Sequence, residues 1–269
     1  MHIHRFLSVR IGLRKYANFT LGTNIIKIER LLFRDILKES GFEEERIMAR
    51  RTSCTLLTDN LLHNLAVIKQ EAPKSKIMAM VKANAYGHGI RSVALRLGDA
   101  VDALGVACID EALALRQAGV KTPITLVEGV FEPGELRIAA DQGFAVVFHS
   151  KHQIKWLEDA KVSSKIQAWL KINTGMGRLG FAPSEAEEAM RILSSHSNVL
   201  QPIGIMSHFA CADEPGHSMN AKQVAAFKAF TNKHDGPKSF CNSAALFAFP
   251  DMHYDWVRPG LALYGASPF

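Results

Sequence analysis

The sequence has no run of about eighteen apolar residues, which is the length that a transmembrane helix needs. Its four cysteines, Cys54, Cys108, Cys211 and Cys241, lie far apart and form no C-x-x-C pair. This spacing predicts neither a zinc site nor a disulfide framework. We therefore expect a cytoplasmic protein with reduced thiols, no bound metal and no membrane contact.

Most of the chain has little excess of basic over acidic residues, although the net charge is +6. Residues 1–51 hold eleven Lys and Arg against six Asp and Glu, whereas the remaining residues hold 21 against 20. No basic stripe with interleaved aromatic residues follows in this nearly neutral part. The charge pattern therefore argues against a nucleic-acid partner.

The excess of basic residues belongs to an N-terminal segment. Up to Ile28 there are five basic residues and no acidic one, which resembles a transit peptide in composition. The range Ile25–Arg46 is compatible with an amphipathic helix. We interpret residues 1–50 as a basic N-terminal extension without chemistry, helical or disordered, and residues 51–269 as the functional domain.

From Leu56 onward, short apolar runs alternate with helical patterns such as Ile109–Ala118 and Glu185–Ser194. Most runs are unbroken, as expected for strands with both faces buried. This alternation predicts an α/β fold of the (β/α)8 TIM-barrel type, with a doubly wound open sheet as the alternative. No G-x-G-x-x-G follows a strand, which weakens a dinucleotide-binding version of that alternative. The eight candidate strands are Ile77–Lys82, Ala103–Ala107, Ile124–Val127, Ala145–Phe148, Ala168–Ile172, Ile203–Ser207, Ser239–Asn242 and Trp256–Arg258.

The string VKANAYGHG at residues 81–89 places Lys82 at the end of the first strand. In a barrel of this type the carboxyl ends of the strands carry the chemistry. Burial there disfavours the charged form of an amine, which suits a lysine that must form a Schiff base. Tyr86 lies four residues further on, where its hydroxyl is within reach of a phosphate.

Four other strand ends carry polar residues. A glycine-rich loop, KINTGMGRLG, presents Arg178, and SHFA places His208 after the sixth strand. Asn242-Ser243 and the string RPG from Arg258 follow the seventh and eighth strands, where barrels of this type commonly bind phosphate. Taken singly, His208 fits a structural histidine and Asn242-Ser243 fits an ordinary turn.

In this order, these motifs over residues 50–269 resemble the barrel domain of the alanine racemases, which depend on pyridoxal 5'-phosphate (PLP). The resemblance implies that Lys82 binds PLP covalently and acts as one of two bases at the substrate α-carbon. It implies that Arg178 contacts the cofactor and the substrate carboxylate. Lys171 matches a lysine that is often carbamylated and positions this arginine.

The same resemblance assigns the rest of the cofactor site. His208 would pack against the PLP ring and bond to Arg258, which would meet the ring nitrogen. The residues expected at the phosphate end of the cofactor are Tyr86, Asn242, Ser243, Gly260 and Leu261. The implied activity is interconversion of L-alanine and D-alanine, which supplies D-alanine for peptidoglycan.

Other functions stay open. A single-domain PLP-binding barrel without turnover fits the length of the chain. A PLP-dependent decarboxylase is disfavoured, because related enzymes carry Glu where this chain has Arg258. A barrel aldolase that uses Lys82 on a sugar is disfavoured by Tyr86 and the phosphate-site residues.

The second base has no counterpart in this sequence. In the family it is a tyrosine of a C-terminal β-domain, contributed by the partner subunit of a homodimer. Racemisation needs a base on each face of the substrate. We therefore expect weak or no racemase activity from this chain by itself, and a doubtful dimer.

Overall fold

The computed structural model describes residues 55–269. The predicted N-terminal extension, its amphipathic helix, the domain boundary at residue 50 and Cys54 lie outside the described residues. Within residues 55–269, no helix is both long and apolar enough to cross a membrane. The same range contains no cluster of three or more His, Cys, Asp or Glu side chains that could hold a metal ion.

Eight parallel strands close into a barrel in the order of the chain. The closing pair joins the first strand to the last, with Lys76 beside Trp256 and Ile77 beside Val257. Closure confirms the predicted barrel and rules out the open sheet. The strands are β1 (Lys76–Met80), β2 (Ala103–Val106), β3 (Ile124–Leu126), β4 (Ala145–Phe148), β5 (Ile166–Lys171), β6 (Val199–Met206), β7 (Lys238–Ser239) and β8 (Trp256–Val257).

Helices alternate with these strands and bury their apolar faces against the barrel. In α3, for example, Ile109, Ala112 and Leu115 are buried, at the spacing of one helical face. The helices are α1 (Thr58–Glu71), α2 (Ile90–Leu97), α3 (Ile109–Gln117), α4 (Glu135–Gln142), α5 (Lys151–Asp159), α6 (Pro183–Ser195), α7 (Ser218–Thr231) and α8 (Ser243–Ala248). Short 3-10 turns cover Gly98–Ala100, Pro250–Met252 and Leu261–Tyr264.

Large side chains fill the barrel interior, among them Met78, Met80, Trp169 and Met206. Gly204 on β6 leaves room for the indole of Trp169, because a Cβ at Gly204 would overlap that ring. The interior is therefore a packed core and not a channel.

Two strands end two or more residues earlier than predicted. β1 ends at Met80, so Lys82 lies in the loop beyond the strand. β7 covers only Lys238–Ser239, and Asn242 instead begins α8, where its side chain accepts the N–H of Ala245 at 2.9 Å. An Asn at a helix N-cap satisfies a backbone donor that would otherwise lack a partner, which explains why the strand does not extend to it.

Candidate active site

A cavity of about 540 Å³ lies at the carboxyl ends of the strands. This volume falls in the range of small-molecule sites. Two carboxylates that the sequence prediction left without a role, Glu128 and Asp213, also line it. The structure brings all the predicted site residues to this cavity: Lys82, Tyr86, Lys171, Arg178, His208, Asn242, Ser243, Arg258, Gly260 and Leu261.

Lys82 begins a left-handed turn. The residues from Ala83 to Tyr86 have φ values between 51° and 55°, although none is glycine. Gly87, with φ of 88°, continues the left-handed run. The turn places the side chains of Lys82 and Tyr86 at the same cavity.

The amine of Lys82 faces a carboxylate. Its Nζ lies 3.3 Å from Oε1 of Glu128, and the two side chains are 29% and 34% exposed. The amine is therefore partly open to water and ion-paired, where the sequence predicted a shielded one. Glu128 follows the end of β3, so the strand-end criterion that selected Lys82 and His208 would have selected it too.

Lys171, the last residue of β5, is a buried amine among cations. Burial, and next the positive charges of Arg258 and Arg178, lower the pKa of Lys171 to about 7. A substantial fraction of this amine is then neutral near pH 7, which allows it to react as a nucleophile.

The loop after β5 carries Arg178. Asn173 organises this loop, since its Oδ1 accepts the N–H groups of Gly175 at 3.1 Å and Gly177 at 2.9 Å. The loop closes where Asn173 N–H donates to the carbonyl of Phe181 at 2.8 Å. Arg178 itself is exposed at the cavity mouth.

Arg258 is buried below the cavity. Its guanidinium donates to the hydroxyl of Ser239 and to the carbonyl of Ser207, and Nη2 lies 3.3 Å from Nδ1 of His208. Burial lowers the pKa of Arg258 to about 10, which leaves it charged at neutral pH. Burial and the charge of Arg258 lower the pKa of His208 well below its usual value, so that this imidazole is neutral.

Hydrogen-bond donors converge at one corner of the cavity. Ser243 Oγ accepts the N–H groups of Gly260 at 2.9 Å and Ala262 at 3.2 Å. Gly260 also leaves space for the hydroxyl of Tyr86, which a Cβ would overlap. Backbone N–H groups beside two hydroxyls form a corner that suits a phosphate.

Tyr264 supports this corner from behind. Its ring stacks on Tyr86 with 5.0 Å between the centroids, and its hydroxyl donates to the carbonyl of Met80 at 2.9 Å. Tyr86 is thus held between Tyr264 and Gly260, with burial raising the pKa of its phenol.

These features define a class of protein: a parallel (β/α)8 barrel in which one cavity holds the amine of Lys82, the guanidinium groups of Arg178 and Arg258, and a corner that suits a phosphate. The residues present fit PLP, which carries a phosphate and an aldehyde. Residues 57–268 match the family model described as alanine racemase, N-terminal domain. The chain belongs to this family.

Known relatives agree with that assignment. The alanine racemase of Legionella pneumophila (strain Corby) is 46% identical over 222 residues, which cover 82% of this chain and 62% of the relative. The crystal structure of the biosynthetic alanine racemase from Pseudomonas aeruginosa has a TM-score of 0.75 and 38% identity, covering 78% of this chain and 58% of that one. The alanine racemase structure from Acinetobacter baumannii has a TM-score of 0.73 and 42% identity, covering 79% and 59%. The chain thus spans about three fifths of the length of these relatives.

Proposed function

We propose that this protein is a cytoplasmic, PLP-dependent racemase that interconverts L-alanine and D-alanine and supplies D-alanine for peptidoglycan. One observation carries the proposal: Lys82, Arg178 and Arg258 line the same cavity as the phosphate corner at Ser243, in a chain of the alanine racemase family.

Each end of the cavity takes a part of the cofactor. Ser243, Gly260, Leu261 and Tyr86 would hold the phosphate, with Asn242 beside them. Lys82 would bind the cofactor covalently at the other end. When bound, PLP withdraws electrons from the substrate α-carbon.

Lys82 and Arg178 would act on the substrate. The guanidinium of Arg178 suits a carboxylate, because it offers paired donors in a fixed plane. Lys82 would move the proton at the α-carbon on one face. Glu128, which lies 3.3 Å from Lys82 in this structure, would have to release the amine first.

Arg258 and His208 would lie against the cofactor ring. A cationic arginine at the ring nitrogen donates a hydrogen bond and disfavours a second positive charge there. That weakens the electron withdrawal and favours return of a proton over decarboxylation. The buried charge of Arg258 therefore supports racemisation.

We infer that Lys171 is modified by carbon dioxide. The neutral amine attacks the carbon of CO2, so that an N–C bond forms while one C=O π bond breaks and its electron pair moves to oxygen. One N–H proton is released to water, which leaves a carbamate anion. Arg178 and Arg258 both act electrostatically on this amine, and each would attract the anion. The carbamate would then position Arg178.

Trapping the cofactor tests the proposal. The 269-residue protein is incubated with PLP, reduced with borohydride and digested, and the labelled peptide is identified by mass spectrometry. We expect one label on Lys82 and loss of the label in Lys82→Ala. The control Lys222→Ala, at an exposed position of α7, should retain the label. No label, or a label on another lysine, would overturn the proposed cofactor site.

Turnover is measured separately. Conversion of L-alanine to D-alanine is followed by chiral chromatography. Conversion is assayed with and without the C-terminal domain of a family member added in trans, and we expect turnover when that domain is present. A PLP-binding barrel without turnover would stay inactive even with the complementary domain supplied.

A further inference from the structure

The turn between Lys82 and Tyr86 is costly for its residues. Four successive residues, Ala83, Asn84, Ala85 and Tyr86, have φ values of 51°, 55°, 54° and 54°. The left-handed conformation is unfavourable for an L-residue other than glycine, because its Cβ comes too close to the following carbonyl oxygen. Such a turn persists only where surrounding contacts fix it.

One carboxylate supplies much of that fixation. Glu111 lies in the first turn of α3, and its Oε1 accepts the N–H of Ala83 at 2.7 Å and of Asn84 at 3.4 Å. Its Oε2 accepts the N–H of Ala107 at 2.9 Å. The side chain of Glu111 therefore joins the loop after β1 to the loop after β2 by charge-assisted hydrogen bonds.

The far side of the turn has its own contact. The side chain of Asn84 accepts the N–H of Ile90 at 2.9 Å through Oδ1, which ties the turn to the start of α2. Glu111 ties the backbone N–H groups of Ala83 and Asn84 to a different βα unit. Without it, the N–H groups of Ala83 and Asn84 would turn to water.

An acidic residue in the first turn of a helix often serves only that helix. Glu135 in α4 does so, since its Oε2 accepts the N–H of Phe131 at 2.8 Å in the loop just before its own helix. Glu111 differs because it accepts N–H groups from two loops: Ala107 in the loop before its own helix, and Ala83 and Asn84 in the loop after β1. Glu135 is therefore a matched control.

We propose that Glu111 is a positioning residue, which holds the left-handed turn and so directs Lys82 and Tyr86 into the cavity. Glu111 is not among the residues that line the cavity, and it acts through the backbone of Ala83 and Asn84. The consequence for PLP binding rests on the proposed function, but the effect on the turn does not.

The first test compares Glu111→Gln with Glu135→Gln. An amide has one acceptor oxygen, so the side chain in Glu111→Gln cannot accept from both loops at once. We expect amide hydrogen exchange at Ala83 and Asn84 to speed up roughly tenfold in this variant, as the loss of a charge-assisted hydrogen bond implies. The rate of PLP capture by Lys82 should fall by a similar factor. In Glu135→Gln both rates should match wild type.

The second test restores the turn without restoring the carboxylate. Glycine adopts the left-handed conformation freely, so Ala83→Gly lowers the cost of the turn. We expect Glu111→Gln/Ala83→Gly to recover most of the PLP capture rate. Ala225→Gly, at an exposed position in α7, should give no recovery. A carboxylate that only stabilised the fold would not be rescued by a glycine in this turn.

The outcomes separate the two proposals. Wild-type exchange rates at Ala83 and Asn84 in Glu111→Gln would overturn the positioning role whether or not PLP binds. If the wild-type protein captures no PLP, the proposed function is overturned. The exchange rates at Ala83 and Asn84 still test whether Glu111 holds the turn. Should Glu111→Gln fail to fold, Glu111→Asp, whose shorter side chain cannot span both loops, takes its place in the same measurements.

Discussion

Nη2 of Arg258 lies 3.3 Å from Nδ1 of His208. A guanidinium has only donors, so Nδ1 must be the acceptor and the imidazole carries its proton on Nε2. Burial and the nearby positive charge lower the pKa of His208 well below 6.5. Burial and, next, the charge of Arg258 keep this histidine neutral, and the hydrogen bond from Arg258 fixes its tautomer.

This pair predicts a dependence of stability on pH. The unfolded chain binds a proton at His208 as the pH falls through about 6.5, whereas the folded protein does not. The contribution of neutral His208 to the free energy of unfolding is therefore fully present above about pH 6.5. It is lost as the pH falls toward the pKa of His208 in the folded protein. The slope approaches about 1.36 kcal/mol for each pH unit.

The comparison uses urea unfolding between pH 7 and pH 5. For each pH unit of acidification, we expect the free energy of unfolding of His208→Gln to fall by about 1 kcal/mol less than that of wild type. His63→Gln, at an exposed position of α1, should keep the wild-type slope. Equal slopes for His208→Gln and wild type would contradict a neutral, buried His208.

Arg258→Lys tests the hydrogen-bond fork itself. An ammonium cannot reach Ser239, the carbonyl of Ser207 and His208 together, and a buried lysine tolerates its charge less well than arginine. We expect the free energy of unfolding to fall by about 2–4 kcal/mol, as measured by urea denaturation. The control Lys228→Arg, at an exposed position of α7, should change the free energy of unfolding by less than about 0.5 kcal/mol. Wild-type stability in Arg258→Lys would show that the fork is dispensable.

The barrel and its cavity could be predicted because both depend on local patterns. Unbroken apolar runs locate the strands, and a parallel barrel brings every strand end to one face. Glu128 directly follows the predicted third strand, so the strand-end pattern marks it as well. Glu111 and Gln223 could not be found this way, since they act on the backbone of distant loops and no local pattern marks such contacts.

Gln223 on α7 is the second of these hidden residues. It is fully buried and links two loops: Nε2 donates to Thr174 Oγ1 at 3.2 Å and to the carbonyl of His208 at 2.9 Å, and Oε1 accepts the N–H of Ala210 at 2.9 Å. In Gln223→Leu these groups lose their partner away from water. We expect unfolding by urea to show a loss of about 2–4 kcal/mol.

Gln167→Leu is the control for this loss. Gln167 is half-buried on β5 and makes one hydrogen bond, at 3.3 Å to the carbonyl of Pro202. We expect it to cost less than about 1 kcal/mol. Similar losses in the two variants would argue that Gln223 has no special part in joining the loops of Arg178 and His208.

Gly180 sets the shape of the loop that carries Arg178. It has φ of +119°, and a Cβ there would lie 2.7 Å from the backbone nitrogen of Asn173. Gly177 in the same loop has φ of +74° with open space around it. We expect Gly180→Ala to lower the free energy of unfolding by about 2–4 kcal/mol and Gly177→Ala to lower it by about 1 kcal/mol. Thermal unfolding measures both, and the midpoint of Gly180→Ala should fall further. A reversed order would mean that backbone crowding at Gly180 is relieved by movement of the loop.

Lys171 should take up carbon dioxide in a way that depends on pH. Burial and the charges of Arg258 and Arg178 lower its pKa to about 7, so the neutral amine dominates above that value and the ammonium below it. Only the neutral amine attacks carbon dioxide, and the carbamate that forms replaces a repelled cation by an anion beside the same arginines. With dissolved carbon dioxide held constant, carbamate formation should rise several-fold from pH 6 to pH 8. Carbon-13 NMR after labelling with carbon-13 bicarbonate measures it, with Lys171→Met expected to lose the signal and the exposed Lys155→Met expected to keep it. A signal that survives in Lys171→Met would place the modification elsewhere, and a wild-type protein without any signal would leave Arg178 to be positioned by its loop alone.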